Sequence, residues 1–384
     1  MRLAYVTETF PPEINGVALT AERFVNGLRA RGHVIDLVRP KQPMESLLDQ
    51  ATELRVPGIP LPMYQGLRFG LPVVSTLTRR WQAVCPELIH VATEGPLGWA
   101  AIRAGRINGI PVTSDFRTNF DMYSEHYGFG WMRRVVGGYL KHFHNATDRT
   151  FVPTPAVGSA LTKQGYERTE VVGRGVDADM FSPSHASAEL RASWGATEQT
   201  PVLLYVGRLA SEKNVPLAFR AFEAVRARIP GVRFVVVGDG PLREKLGLAH
   251  PEAIFVGPQR GATLAQYYAS ADVFLFPSLT ETFGNVTLEA LASGLLVVAF
   301  RSGAAAVHID DCTSGVLIEP GDEQGFIAGT CALAQQFRWL GMMRSGARRA
   351  AVAASWDSVI NRFEFCLSDA ANAVEAPLAG PCPA

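Results

Sequence analysis

Short apolar runs of strand length, each followed by a stretch long enough for a helix, recur along the whole chain and restrict its fold more than any other feature. In the first half they lie at Leu3–Val6, Val34–Val38, Leu88–Val91, Pro111–Ser114 and Thr150–Val152. In the second half they lie at Val202–Val206, Arg233–Val237, Ala253–Val256, Val273–Phe276, Leu296–Phe300 and Val316–Ile318. Strands of a parallel sheet are covered on both faces, so they read as continuous apolar runs, and each crossover calls for a helix. The segment Val17–Arg31 has that helix's pattern: Ala21, Phe24, Val25 and Leu28 share one face, Glu22, Asn26 and Arg29 the other, and Gly32 stops it. The chain therefore reads as α/β, with two open, Rossmann-like sheets. Its 384 residues exceed what one core usually serves. The break falls at Gly173-Arg174-Gly175-Val176-Asp177, before the polar stretch Ser182–Thr200, which gives domains 1–173 and 174–355. A last helix begins at Trp356 with Ile360, Phe363 and Leu367 inward, and the Ala- and Pro-rich tail 371–384 is expected to be disordered.

Charge and cysteine usage narrow the partners. Lys plus Arg and Asp plus Glu number 36 each, so the net charge is zero, which argues against a nucleic-acid partner held by bulk electrostatics. Cys85, Cys312, Cys331, Cys366 and Cys382 are scattered without metal-ligand spacing and read as reduced thiols of a cytosolic protein. No apolar run approaches the roughly 18 residues of a membrane span, and no signal-peptide core precedes the first strand. A cytoplasmic protein, at most peripheral on the inner face of the membrane, is expected.

In open α/β sheets ligands bind beyond the carboxyl ends of the strands, and the polar motifs fall there. The loop Phe10-Pro11-Pro12-Glu13-Ile14-Asn15-Gly16 leads from the first strand into a helix whose free N–H groups suit a phosphate, although an ordinary turn reads the same way. It lacks the G-x-G-x-x-G fingerprint, which disfavours a dinucleotide-dependent dehydrogenase. Strand Val202–Val206 runs into Gly207-Arg208-Leu209-Ala210-Ser211-Glu212-Lys213, where Arg208 and Lys213 are either phosphate ligands or a solvated pair. Strand Arg233–Val237 ends in the sharp turn Gly238-Asp239-Gly240-Pro241. The richest segment is Phe276-Pro277-Ser278-Leu279-Thr280-Glu281-Thr282-Phe283-Gly284-Asn285-Val286-Thr287-Leu288-Glu289-Ala290, in which Glu281 and Glu289 flank seven residues. A helix starting near Gly284 puts Glu281 in the loop and Glu289 just over a turn inside the helix. Carboxylates accept well from sugar hydroxyls, and the N–H groups of Gly284 and Asn285 would face a diphosphate; helix capping and surface exposure are the plainer alternatives.

These motifs, in this order, resemble the retaining glycosyltransferases of family 4, which have the GT-B fold: two Rossmann-like domains with an interdomain cleft and a C-terminal helix, here 356–370, crossing back to the first domain. The resemblance runs from Phe10-Pro11-Pro12 and Gly16 through Val206-Gly207-Arg208, Glu212-Lys213, Gly238-Asp239-Gly240-Pro241 and the Glu281–Glu289 pair to Trp356. It implies that Arg208 and Lys213 neutralise the donor diphosphate, that Glu281 and the Phe283-Gly284 backbone hold the donor sugar, that Glu289 holds the ribose, and that Gly16 touches phosphate from the first domain. Asn285, Asp239 and Gly240 complete the expected donor site. Arg208, Lys213 and Glu281 are the residues assigned to catalysis. The expected reaction moves a hexose from GDP-mannose or a UDP-hexose to a hydroxyl with retention, using no cofactor and no metal. The sole Asp-x-Asp, Asp177-Ala178-Asp179, lies at the hinge and reads as structural.

One position departs from the family pattern: Arg117, in Ser114-Asp115-Phe116-Arg117-Thr118-Asn119, stands where the family often has His. It either pairs with Asp115 or contacts the donor, and it is counted here with the donor-binding residues. Basic, aromatic-rich stretches at Trp131–Val136 and Tyr139–His144, with the apolar loops Leu61–Tyr64 and Leu67–Phe69, suit a lipid acceptor at an anionic membrane surface. Diacylglycerol-type acceptors are found among the subfamilies this chain resembles. A soluble transferase acting on a polysaccharide or polyol, and a non-catalytic sugar-nucleotide-binding regulator, are the competing readings.

Overall fold

The computed structural model describes residues 1–13, 15–43, 45–50, 52–60, 68–117, 130–279, 281 and 283–373, and of 130–133 the backbone alone. Loop 61–67, the motif residues Thr118, Asn119, Thr280 and Thr282, the side chains of 131–133 and the tail from 374 lie outside the described residues. The chain divides into two compact units, Met1–Gly173 joined by the segment from Val359, and Arg174–Ser358.

In the first unit the elements run β1 (Arg2–Val6), α1 (Gly16–Ala30), β2 (Val34–Pro40), β3 (Leu48–Gln50), β4 (Glu53–Val56), β5 (Gly58–Pro60), β6 (Arg68–Gly70), α2 (Val74–Val84), β7 (Leu88–Val91), α3 (Pro96–Asn108), β8 (Val112–Asp115), α4 (Gly130–Asn145), β9 (Arg149–Val152), α5 (Pro155–Lys163) and β10 (Thr169–Val171). Eight strands form one sheet in the order β10-β9-β8-β7-β1-β2-β4-β3, parallel except where β3 meets β4, while β5 and β6 make a separate hairpin. The face of α1 carrying Ala21, Phe24, Val25 and Leu28 is buried, and Gly32 follows the helix at φ +83°.

The second unit contains α6 (Ala188–Ser193), β11 (Val202–Val206), α7 (Val215–Arg226), β12 (Arg233–Val237), α8 (Arg243–Ala249), β13 (Ile254–Gly257), α9 (Gly261–Ala269), β14 (Val273–Phe276), α10 (Asn285–Ala292), β15 (Leu296–Phe300), α11 (Gly303–His308), β16 (Val316–Ile318), α12 (Glu323–Gln336) and α13 (Gly341–Ala353). Its sheet, β13-β12-β11-β14-β15-β16, is parallel throughout and buried by an apolar cluster on each face.

The closing helix, α14 (Trp356–Ala373), starts in the second unit and packs in the first. Phe363 is fully buried with its ring 4.1 Å from that of Phe24, and Ile360 fills the space that a side chain at Gly27 would need. Residues 371–373, expected in a disordered tail, are instead the last turn of this helix, because Ala370 is still buried and holds the turn against the unit. The segment leaving the first unit runs beside the segment returning to it: Val176 N–H donates to Ala354 O at 3.1 Å and Trp356 N–H to Val176 O at 3.2 Å. Cys312, Cys331 and Cys366 are free thiols. No helix among the described residues is long and apolar enough to cross a membrane.

Candidate active site

Three neighbouring strands of the second unit, β12, β11 and β14, end at one place, and their loops hold the motif residues. The loops after β11 and β12 lie back to back: Gly207 N–H donates to Val237 O at 3.0 Å, Leu209 N–H to Asp239 O at 2.9 Å, and Leu242 N–H to Leu209 O at 2.9 Å. A Cβ on Gly238 would strike the Gly207 carbonyl and one on Gly240 the Leu209 carbonyl, so glycine is what lets the backbones approach this closely. Beneath them the Tyr205 hydroxyl donates to Arg208 O at 3.0 Å. Asp239 is exposed, and its carboxylate accepts the Gly240 N–H at 2.8 Å.

The two cations of the β11 loop part company. Arg208 projects outward with its side chain 62% exposed, 3.1 Å from Glu212. Lys213, at the end of a 3-10 turn, crosses to the β14 loop and places Nζ 2.5 Å from Glu281 Oε1, where both side chains are mostly buried. Residues 68 apart in sequence thus join the first loop to the third.

Phe283 anchors the third loop at 2% exposure, and Gly284 turns it into α10 at φ +87°. The start of α11 packs against the loop from the side: Ala304 N–H donates to Phe283 O at 2.5 Å, and Gly303 leaves no room there for a Cβ. Asn285 Oδ1 and Thr287 Oγ1 are buried without a hydrogen-bond partner. Glu289 lies in the second turn of α10, where it accepts the Tyr268 hydroxyl at 3.0 Å. Burial pushes its carboxyl up to about 7, against the Tyr268 bond, which pulls it down. Two cations, a helix N-terminus and two carboxylates on one set of strand ends suit a ligand carrying both phosphate and vicinal hydroxyls. Among the described residues no three His, Cys, Asp or Glu side chains are grouped to hold a metal ion. Asp177, of the Asp-x-Asp, accepts the Met180 N–H at 3.0 Å within a turn.

In the first unit, Asn15 caps α1 by accepting the N–H groups of Val17 at 3.0 Å and Ala18 at 2.8 Å, which leaves Gly16 as the first helical residue. Glu13 is bound by Thr9 and Gln42, and Asn15 Nδ2 donates to Thr9 Oγ1 at 2.7 Å, so the loop is held by its own side chains. Arg117 takes the first of the two roles left open by the sequence. It is 3% exposed, its Nε donates to Asp115 Oδ2 at 2.7 Å and its Nη1 to Gly173 O at 3.2 Å, and its guanidinium lies over the Phe24 ring. A buried guanidinium needs a carboxylate, and Asp115 at the end of β8 supplies it. Arg117 Nη2 is buried without a hydrogen-bond partner. Burial raises the Asp115 carboxyl, but the charges of Arg117 and His90 outweigh burial and hold it at about 2.

Two acidic residues that the motifs did not flag sit at the ends of β1 and β7. Glu8 accepts the Leu97 N–H at the start of α3 at 2.8 Å, and burial pushes its carboxyl up to about 8. Glu94 is 7% exposed, with Oε1 3.5 Å from His144 Nε2. Their signal was present, since each follows an apolar run at a strand end; so was that of Gly303 after β15. Tyr205 and Tyr268 gave none, because a tyrosine inside an apolar element reads as core.

Residues 14–180 match the family model described as Glycosyltransferase Family 4, and residues 200–336 the one described as Glycosyl transferases group 1. The chain is 33% identical over 380 residues to a GDP-mannose-dependent alpha-mannosyltransferase of Mycolicibacterium smegmatis, covering 96% of this chain and 98% of that protein. It is 24% identical to the alpha-monoglucosyldiacylglycerol synthase of Acholeplasma laidlawii, covering 84% and 86% of the two chains. The structure of sucrose-phosphate synthase from Thermosynechococcus elongatus superposes with a TM-score of 0.76 at 20% identity, over 97% of this chain and 99% of that one. The fold is GT-B.

Proposed function

This chain belongs to the family 4 glycosyltransferases and is a hexosyltransferase that uses a nucleotide-sugar donor, and we propose that it moves mannose from GDP-mannose to a hydroxyl of a diacylglycerol-type lipid, with retention and without a metal ion. The donor reading is supported by three GDP-mannose-dependent relatives, from M. smegmatis, Mycobacterium tuberculosis and Corynebacterium glutamicum, at 33%, 32% and 32% identity. The observation that carries the chemistry is the Lys213–Glu281 link, which sets a cation and a carboxylate side by side where a diphosphate adjoins its sugar. Arg208 and Lys213 take up the charge of the departing diphosphate, helped by the N–H groups at Phe283, Gly284 and Asn285. Glu281 accepts from the donor sugar and Glu289 from the ribose. Asp239 and Gly240 bring the backbone of the second unit close to phosphate, and Gly16 offers a phosphate the start of α1 in the first. The acceptor attacks from the face the diphosphate leaves, with a donor phosphate oxygen taking its proton.

The lipid acceptor is supported by the diacylglycerol-using relative and by α4, whose Leu140 and Phe143 face the core while Arg134, Val135 and Lys141 are exposed. Such a basic, partly apolar face suits peripheral contact with the cytoplasmic membrane surface. The test is a donor screen in EDTA with diacylglycerol vesicles, following nucleoside diphosphate release, lipid product and anomeric configuration together. An α-mannosyl lipid from GDP-mannose alone is expected. Transfer only from UDP-hexoses, loss of activity in EDTA, a β-linked product or a water-soluble product each overturns its own part of the assignment.

A further inference from the structure

Away from these strand ends the second unit has a cleft of about 420 Å³ that the reaction above does not use. It lies past the C-terminal end of α10 and before β15, so within this unit it is at the opposite end of both elements from the motif loops. Ser293, Gly294 and Pro183 line one side, and Arg344, Ser345, Arg348 and Arg349 of α13 the other. Positive charge is in surplus. Arg344 lies 3.1 Å from Asp272, but that carboxylate already serves Arg191 at 3.0 Å. Arg348 gives Nη1 to two carbonyls, Phe181 O at 2.6 Å and Ala292 O at 2.7 Å, and neutral carbonyls leave its charge uncompensated. Arg349 is exposed. The cleft also includes Ser293, 4% exposed, whose Oγ has no hydrogen-bond partner. A buried hydroxyl without a partner beside uncompensated guanidinium groups suits an anionic oxygen.

Exposed apolar side chains precede the cleft-lining residues of α13 in the chain. Trp339, in the turn from α12 into α13, and Met342, in the first turn of α13, are 85% and 89% exposed, and Met342 lies one and two helical turns before Ser345 and Arg349, on their face of α13. Arg338, also exposed, adds a further cation. Tryptophan favours the level of lipid headgroups, and arginine beside it favours anionic lipids. We propose that this edge of the second unit docks on an anionic bilayer, with Trp339 and Met342 entering the headgroup layer and one lipid phosphate seated in the cleft against Ser293, Arg348 and Arg349. The docking is independent of which molecule accepts the sugar.

The full chain is to be sedimented with phosphatidylcholine vesicles containing or lacking phosphatidylglycerol, with tryptophan emission recorded. Wild type binds the anionic vesicles only, Arg349→Ala weakens binding about fivefold, and Trp339→Ala weakens it and removes the blue shift. Both positions are exposed, so the variants fold. Binding unaffected by either variant but lost in Arg134→Glu on α4 overturns this docking surface and leaves peripheral contact through the first unit standing. Inorganic phosphate bound in the cleft, lost in Ser293→Ala, by a protein that ignores vesicles overturns it in favour of a soluble phosphate ligand.

Discussion

The strand ends of the two units are built in opposite ways. In the second, three loops are fixed by backbone packed on backbone, with glycine at 238, 240 and 303 where a Cβ would collide, and the charged side chains sit on top. In the first, titratable groups lie inside: Asp115 with Arg117 and His90, Glu94 beside His144, and Glu8, which burial keeps largely protonated at neutral pH, on the start of α3. A backbone-built site keeps its shape when a side chain on it is removed. A site built on buried charge does not, because each deletion strands its partner in a medium that solvates ions poorly. Stability and chemistry are therefore expected to separate in the second unit and to be entangled in the first.

The largest effect is expected where the contrast is sharpest. Arg117→Ala should cost about 3–5 kcal/mol in denaturant unfolding, since it leaves Asp115 charged and buried, and Asp115→Asn in the same chain should recover much of that. A loss near zero for the single variant would erase the distinction. Next, Lys213→Ala should lower turnover about a hundredfold, the scale of removing one charge-stabilising donor, at a smaller loss of stability than Arg117→Ala, since the Lys213 side chain is 23% exposed and that of Arg117 2%. A destabilised fold with its rate intact would reverse the comparison at its other end. The smallest effect is a shift in pH profile. Glu289 titrates near 7, so if its carboxylate accepts ribose hydroxyls, the donor KM should fall as pH rises through 7. Tyr268→Phe removes the bond that pulls this pKa down, so the midpoint should move to higher pH, and an unmoved profile would detach Tyr268 from donor binding.

The same contrast explains what could be read from the sequence. All six strands of the second unit are announced by apolar runs, because the sheet carries an apolar cluster on each face, and its motif loops are local strings in which glycine spacing records backbone contact. In the first unit β3, β4 and β10 are short and carry Asp49, Glu53, Arg55 and Glu170, so no apolar run marks them. They lie at or near the sheet edges, where one side has no strand to demand apolar cover. The Arg117–Asp115 pair was legible as an option because its members stand two positions apart. The approach of Glu94 to His144 was not, since it forms only when β7 and α4 have packed. Lys213 and Glu281 were each legible by motif, but their meeting needed the fold.

The bridged crossing at Val176 and Trp356 also orders events in time. Because the second unit leaves and re-enters at adjacent points, it is an insertion whose whole sequence emerges from the ribosome before the residues that complete its host. The first unit waits for α14, since until Ile360 and Phe363 arrive the apolar face of α1 at Phe24 and Gly27 lacks its cover. Synthesis thus finishes the motif-bearing unit first, and the unit made first is sealed last.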